Sequence, residues 1–439
     1  MKSNFQRLNF VRSFFAISLL ALISISSLAQ SLDLDRERGR SMLKMVKSDL
    51  KKHYYDSTFR GIDLDARFKQ ADEKVKEATS VGQVFGVIAQ VLIELDDSHT
   101  FFIPPSRSSR TDYGWQMQMI GDKCYVVAVK PGSDAEAKGL KPGDEIYSID
   151  GIELARENMW KFQYLYYALR PRPGMRVVIQ RQGKQEQMDV MAKVRQVKMH
   201  VDLTSSDIWD LMREYETEER LNRHRYYEIG EDLMIWKMPE FNLENSGVDD
   251  MMEKARKRKG LILDLRGNPG GYEITLQRML GHFFEQDVKV GDIKGRKETK
   301  PLMAKTRGDK IFKGKIVVLV DSRTGSSAEI FARMMQLEKR GTVIGDRTPG
   351  AVMRAVHESH ELGADSIIPY GVSITVADLV MADGKSLERV GVRPDELMLP
   401  TGADLAARRD PVLAHAAKLL GVGIDAEKAG ALFPIEWKK

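Results

Sequence analysis

The stretch KIVVLVDSRTGSSAEIFARMMQL, residues 315–337, carries the most information in this chain. Its β-branched run up to Val320 reads as a buried strand. From Ser327 to Leu337 the spacing predicts a helix, with Ile330, Met334 and Leu337 on one face. Ser326 therefore stands at a strand-to-helix turn. Backbone N–H groups there are unpaired and the helix dipole favours negative charge, which suits an oxyanion. An ordinary helix cap, supplied by Ser326 or Thr324, uses the same residue types. This stretch alone leaves both readings open.

Working outward, strands and helices alternate between residues 197 and 400. Strands are expected at 233–238, 260–265, 316–320 and 342–345, with helices at 248–259 and 273–284 between them. Such alternation predicts an α/β layer around a largely parallel sheet, with ligands at the carboxyl ends of the strands. Ser326 falls at such an end, and so does the turn Gly267-Asn-Pro-Gly-Gly271. The glycines let backbone N–H groups approach a substrate closely. Phosphate loops look similar, but this turn lacks the P-loop lysine, which argues against nucleotide binding. A closing amphipathic helix is expected at 404–419.

Upstream the character changes twice. Residues 30–112 read as helices, at 40–54, 64–77 and 81–95, ending in the break Asp96-Asp-Ser-His-Thr100 and a Pro- and Ser-containing linker. His99 sits in that break, where a lone histidine is ordinarily a surface residue. Residues 113–196 contain AEAKGLKPGDEIYSIDG, 135–151, with an Asp150-Gly151 hairpin turn and a strand pair around Gly183. This order resembles a PDZ domain, a module that binds extended peptides at a sheet edge. Tyr113, Gly114, Trp115, Gln116 and Met117 align with its carboxylate-binding loop.

The bulk composition narrows the function. The chain has 439 residues, 42% hydrophobic and 30% charged, as expected for a globular protein of two or three domains. Lys2, Arg7 and Arg12, the apolar run 14–28 and Ser27-Leu28-Ala29 read as a secretory signal over residues 1–29. An uncleaved anchor is the alternative, though the run is short and holds four serines. Its removal takes three positive charges from a net +5, leaving +2, which is no nucleic-acid signature. The dense basic run 256–259 reads as the solvated end of a helix. Cys124, the single cysteine, reads as a packed core residue. An export signal without disulfides points to a bacterial envelope protein, periplasmic or extracellular. No metal-ligand spacing is present and no cofactor is expected.

LILDLRGNPGGY (261–272), VLVDSRTGSSAEIFA (318–332), VIGDRTPGA (343–351), DDSHTFF (96–102) and LERVGVRPD (387–395) together resemble the C-terminal processing peptidase and tricorn family of serine peptidases. The resemblance implies a multi-domain α/β protein. Its parts are a signal (1–29), a helical region (30–112) contributing His99, a PDZ β-sandwich or barrel-like domain (113–196), a ClpP/crotonase-like peptidase core (197–400) and a helical tail (401–439). It implies Ser326 as nucleophile. One branch of the family uses a lysine base at the position of Ala351, which excludes that arrangement here. The other branch uses a histidine after the N-terminal helices and a late glutamate, matching Ser98-His99 and Glu388. His99 would be the base, with Glu388 orienting it and Ser98 as a relay. Gly270 or Gly271, with Ser327, would form the oxyanion hole. Glu388 also reads as a surface ion-pair partner of Arg389, with Asp378 or Asp383 serving in its place. Polypeptide substrates and an oligomer are compatible with this reading. The rival is a non-catalytic scaffold on the same fold, as in the retinoid-binding proteins of the eye.

Overall fold

The structure, a computed structural model, describes residues 32–105, 107, 109–181, 183–196, 224–363, 368–435 and 437. The expected signal at 1–29 and the expected start of the core at 197–223 lie outside the described residues. The chain divides into two compact units. One comprises the chain up to Asp96, Thr100–Pro105 and His357–Ile374; the other comprises Asp97–His99, Ser106–Val356 and Thr375–Lys439.

The first unit is built on helices α1 (residues 32–53), α2 (Leu64–Lys76) and α3 (Val81–Ile93). Asp63 caps α2 by accepting from the Ala66 N–H, and Ser80 caps α3 by accepting from that of Gln83. The predicted helical spacing buries Val46, Leu50, Val84, Ile88 and Leu92 completely. Strand β1 (Phe101–Ile103) pairs antiparallel with residues 371–373.

The second unit holds the PDZ-like sheet and the α/β layer. Residues 109–196 supply β2 (Ser109–Asp112), β3 (Trp115–Ile120), β4 (Lys123–Val129), helix α4 (Asp134–Ala137), β5 (Glu145–Ile149), β6 (Ile152–Glu153), helix α5 (Arg156–Gln163), β7 (Gly174–Arg181), β8 (Lys184–Met191) and β9 (Lys193–Gln196). One sheet runs in the order β3-β4-β5-β7-β8, with β6 off β5, so β3 is an edge strand. The Asp150-Gly151 hairpin forms as read, with φ of 50° and 79° at its two residues. Cys124 lies in this core, where burial pushes its thiol up to about 12.

The α/β layer follows. Strands β10 (Arg225–Ile229) and β11 (Leu233–Lys237) form a hairpin, helix α6 (Asn245–Arg256) links β11 to β12 (Gly260–Asp264), and helix α7 (Glu273–Gly281) follows β12. A hairpin of β13 (Val288–Gly295) and β14 (Thr299–Ala304) precedes β15 (Lys315–Val320), helix α8 (Ser327–Leu337) and β16 (Thr342–Gly345). Then come the long strands β17 (Met353–Leu362) and β18 (Ile368–Met381), and short β19 (Glu396–Leu397). The main sheet has the order β10-β11-β12-β15-β16-β19, parallel except for β10. β12 is buried at all five positions, as a strand covered on both faces requires. β13 pairs with residues 377–381 of β18.

The single helix expected at 404–419 is two, α9 (Gly402–Ala406) and α10 (Pro411–Leu419), followed by α11 (Ala426–Leu432). Arg408 takes φ 54°, and Asp410 caps a new helix that has Pro411 in its first turn. Proline lacks the N–H an uninterrupted helix needs and disfavours helical geometry at the residue before it.

Candidate active site

Ser326 follows β15 and precedes α8, as the sequence predicts, but its backbone is not that of a simple cap. Its φ is 49° and ψ −121°, in a region that side chains avoid. Such strain costs on the order of 1–3 kcal/mol and persists only where neighbours enforce it. The Ser326 N–H donates to the Ala351 carbonyl at 2.9 Å and to Glu329 Oε2 at 3.1 Å. The alternative cap, Thr324, is fully buried, and its hydroxyl donates to the Leu265 carbonyl at 2.9 Å.

The glycine turn lies directly against this elbow. A Cβ on Gly270 would meet Ser326 Cβ at 2.5 Å, and one on Gly271 would meet the Phe241 carbonyl oxygen at 2.4 Å. Only glycine tolerates that approach together with φ of 107° and 137°. Asn268, fully buried, joins the two turns: its carbonyl oxygen accepts from the Gly325 N–H at 2.8 Å. Its side chain accepts from the Gly270 N–H at 2.8 Å and donates to the Met238 carbonyl at 2.9 Å. The Gly270 N–H is thereby committed, which separates the two expected oxyanion donors. The Gly271 and Ser327 N–H groups meet no acceptor among the described residues, and Ser327 Oγ donates to the Gly271 carbonyl at 2.9 Å.

Asp97–His99 belong to the same unit as Ser326, although helical-unit residues flank them in sequence. Asp97, buried, accepts from the His99 N–H at 3.0 Å and from the Thr375 hydroxyl at 2.6 Å, anchoring this turn to β18. The Ser98 hydroxyl lies 2.6 Å from His99 Nδ1 and donates to Glu388 Oε2 at 2.8 Å. The Ser98 N–H donates to Glu388 Oε1 at 2.7 Å. Glu388 Oε2 also accepts from the Val352 N–H at 2.9 Å. Burial raises the carboxyl's pKa, opposed by these hydrogen bonds. Glu388 is 7% exposed and lies 3.7 Å from Arg389, so the ion pair of the surface reading is present but long, on a buried carboxylate. The alternatives are engaged elsewhere: Asp378 accepts from Ser386 at 2.8 Å, and Asp383 pairs with Arg333 at 2.7 Å.

In the PDZ-like segment, Tyr113, Trp115 and Met117 turn into the core, and the Tyr113 hydroxyl donates to the Tyr166 carbonyl at 3.2 Å. Gly114 has φ 72°, and its N–H donates to Asp112 at 2.9 Å. Gln116 alternates to the half-buried face. The far end of β3 meets the core: Gln118 Nε2 donates to Asp321 at 2.7 Å, and the Ser322 hydroxyl donates to the Met119 carbonyl. Asp321 also accepts from the Gly267 N–H at 2.9 Å, so this carboxylate touches both β3 and the glycine turn.

Sequence reasoning missed Glu329, Asp97, Asn268 and Asp321. Glu329 had a signal, since a serine followed three residues later by glutamate is a capping-box spacing. The others work through long-range contacts that carry no local pattern. Among the described residues no group of three or more potential metal ligands gathers, and no helix is long and apolar enough to cross a membrane.

The profile of peptidase family S41 matches residues 233–398, and that of the PDZ domain matches 111–191. Carboxy-terminal processing protease CtpA of Bacillus subtilis (strain 168) is 25% identical over 321 residues, which is 71% of this chain and 63% of that protein. CtpB of the same organism is 24% identical over 337 residues, covering 74% and 64% respectively. The chain thus spans somewhat under two thirds of the length of these relatives. Among solved structures, mature CPAF aligns with a TM-score of 0.64 at 15% identity, over 85% of this chain and 94% of that one. The photosystem II D1 C-terminal processing protease aligns at 0.52 and 19% identity, over 90% and 99%. At these identities the structural likeness is one of fold. The two profiles show a PDZ domain followed by a peptidase family S41 domain, in the order the motifs require.

Proposed function

We propose that this protein is a serine endopeptidase acting on polypeptides, with Ser326 as nucleophile and His99 as its base. The observation that carries the reading is the hydrogen-bonded series Glu388–Ser98–His99 in the unit that holds the strained Ser326. With Ser98 Oγ donating to Glu388, its lone pairs accept from His99 Nδ1–H. In that tautomer Nε2 carries the lone pair that takes a proton.

In this mechanism the Ser326 Oγ–H bond gives its proton to His99 as Oγ attacks the peptide carbonyl carbon. Charge develops on the carbonyl oxygen, where the Gly271 and Ser327 N–H groups are the uncommitted donors. Collapse breaks the C–N bond, and His99 returns the proton to the departing amine. Water then repeats the sequence on the acyl-enzyme, releasing the acid and restoring the Ser326 hydroxyl. Glu388 stabilises the imidazolium through Ser98 in both halves.

The PDZ domain recruits a substrate segment by adding it as a strand to β3, an edge strand of its sheet. Export to the bacterial envelope belongs to the same proposal and rests on Lys2, Arg7, Arg12 and the apolar run after them.

The test is digestion of an unfolded polypeptide, read by mass spectrometry of the fragments, with Ser326→Ala as control. Cleavage by the wild type alone supports the proposal. Binding of the polypeptide by both proteins with cleavage by neither identifies a scaffold instead.

A further inference from the structure

Glu329 is a buried carboxylate hydrogen-bonded to the Ser326 N–H, and the mechanism above does not use it. It is fully buried at the third position of α8. Both oxygens are saturated. Oε1 accepts from the Thr348 hydroxyl at 2.5 Å and the Gly350 N–H at 2.8 Å. Oε2 accepts from the Ala351 N–H at 2.9 Å and the Ser326 N–H at 3.1 Å. Among the described residues no cation pairs with it; backbone and hydroxyl donors alone surround the carboxyl group.

The segment it grips also belongs to the other half of the site. The Val352 N–H, one residue beyond Ala351, donates to Glu388. The Thr348 hydroxyl accepts from the Val392 N–H at 2.6 Å, and the Arg389 N–H donates to the Gly350 carbonyl at 2.7 Å. Residues 348–352 are therefore held by Glu329 on the nucleophile's side and by Glu388 and its loop on the other. One continuous series of hydrogen bonds runs from the Ser326 N–H through Glu329, this segment, Glu388 and Ser98 to His99 Nδ1.

We infer that Glu329 is a positioning residue, which holds Ser326 in its strained conformation and fixes the 348–352 segment as the spacer between nucleophile and base. This rests on the serine–histidine reading. It also gives a use to the segment in which Ala351 stands where a lysine base would be. At Gly350, Ala351 and Val352 the spacer is held through backbone N–H groups, so the side chain at 351 is free to be small. An amide at 329 keeps the volume but presents only one acceptor oxygen and two new donors to a pocket lined with donors. The elbow then loses the contacts that enforce it. A displacement of about 1 Å at a reacting atom is worth on the order of 10²-fold in rate.

The experiment compares wild type, Glu329→Gln and Thr348→Val by the second-order rate of fluorophosphonate labelling, by kcat and KM on a peptide substrate, and by crystal structures. Glu329→Gln is expected to label and turn over about 10²-fold more slowly with KM changed less than about twofold. Its Ser326 should leave the positive-φ region. Thr348→Val, which removes one donor and keeps the carboxylate, should give a smaller loss of the same kind and covers the case in which the glutamine variant does not fold. Wild-type labelling by Glu329→Gln, or a Ser326 that keeps φ near 49° with 348–352 unmoved, would overturn the inference. A wild type that never labels contradicts the peptidase reading instead, and the Ser326 geometry in the variants still decides the role of Glu329.

Discussion

Ser326 and Glu329 have opposite relations to stability. Ser326 stores backbone strain that its neighbours must enforce. Glu329 is a carboxyl whose pKa burial raises from 4.5 to about 7, with its four hydrogen bonds pulling the other way. Folded protein keeps this proton to about pH 7, whereas the unfolded chain releases it near 4.5. The group therefore favours folding fully below pH 4.5, and that advantage is lost as pH rises to about 7. The free energy involved is on the order of 3 kcal/mol. Urea unfolding of wild type and Glu329→Gln across this window should show the wild type losing that much relative to the variant, and a constant difference would refute it. Glu388, raised in the same direction, adds to the trend in both proteins and cancels in the comparison.

Among the elements, the glycine turn after β12 and the elbow after β15 act as one piece, because Asn268 bonds to both and Gly270 leaves no room for a side chain. Gly270→Ala should abolish measurable turnover through the 2.5 Å approach to Ser326 Cβ, with a stability loss of about 1–3 kcal/mol from the positive φ. Full activity in that variant, checked beside its melting temperature, would contradict the packing described.

These turns were legible because a buried β-branched run fixes each strand and glycine or serine punctuates its end. The strands around them were not. β13 reads Val-Lys-Val-Gly-Asp-Ile-Lys-Gly, with charges and glycines that locally suggest a loop. It is a strand because it pairs with β14 and β18, and a Cβ on Gly291 would meet the Val380 carbonyl oxygen at 2.3 Å. The His99–Ser98–Glu388 contacts were found through family resemblance and through no pattern of spacing, since Ser98 and Glu388 lie 290 residues apart.

At the scale of the whole molecule, unfolding free energy and turnover address different questions. The profiles show the S41 and PDZ domains, and the structural likeness shows the fold. The chemistry depends on whether the histidine held by Glu388 through Ser98 activates Ser326. The PDZ domain enters through Asp321, which ties Gln118 of β3 to the glycine turn. Gln118→Ala should therefore weaken cleavage of long polypeptides more than of short peptides, by several-fold in kcat/KM, and an equal effect on both would show that β3 serves only to brace the turn.

The most direct measurement is the rate at which a fluorophosphonate labels the wild type, Ser326→Ala and His99→Ala across pH 5–9. General-base activation contributes about 10²–10⁴-fold, so His99→Ala should label at least about 10²-fold more slowly, and Ser326→Ala not at all. Equal labelling of wild type and His99→Ala, or labelling that survives Ser326→Ala, would contradict the account.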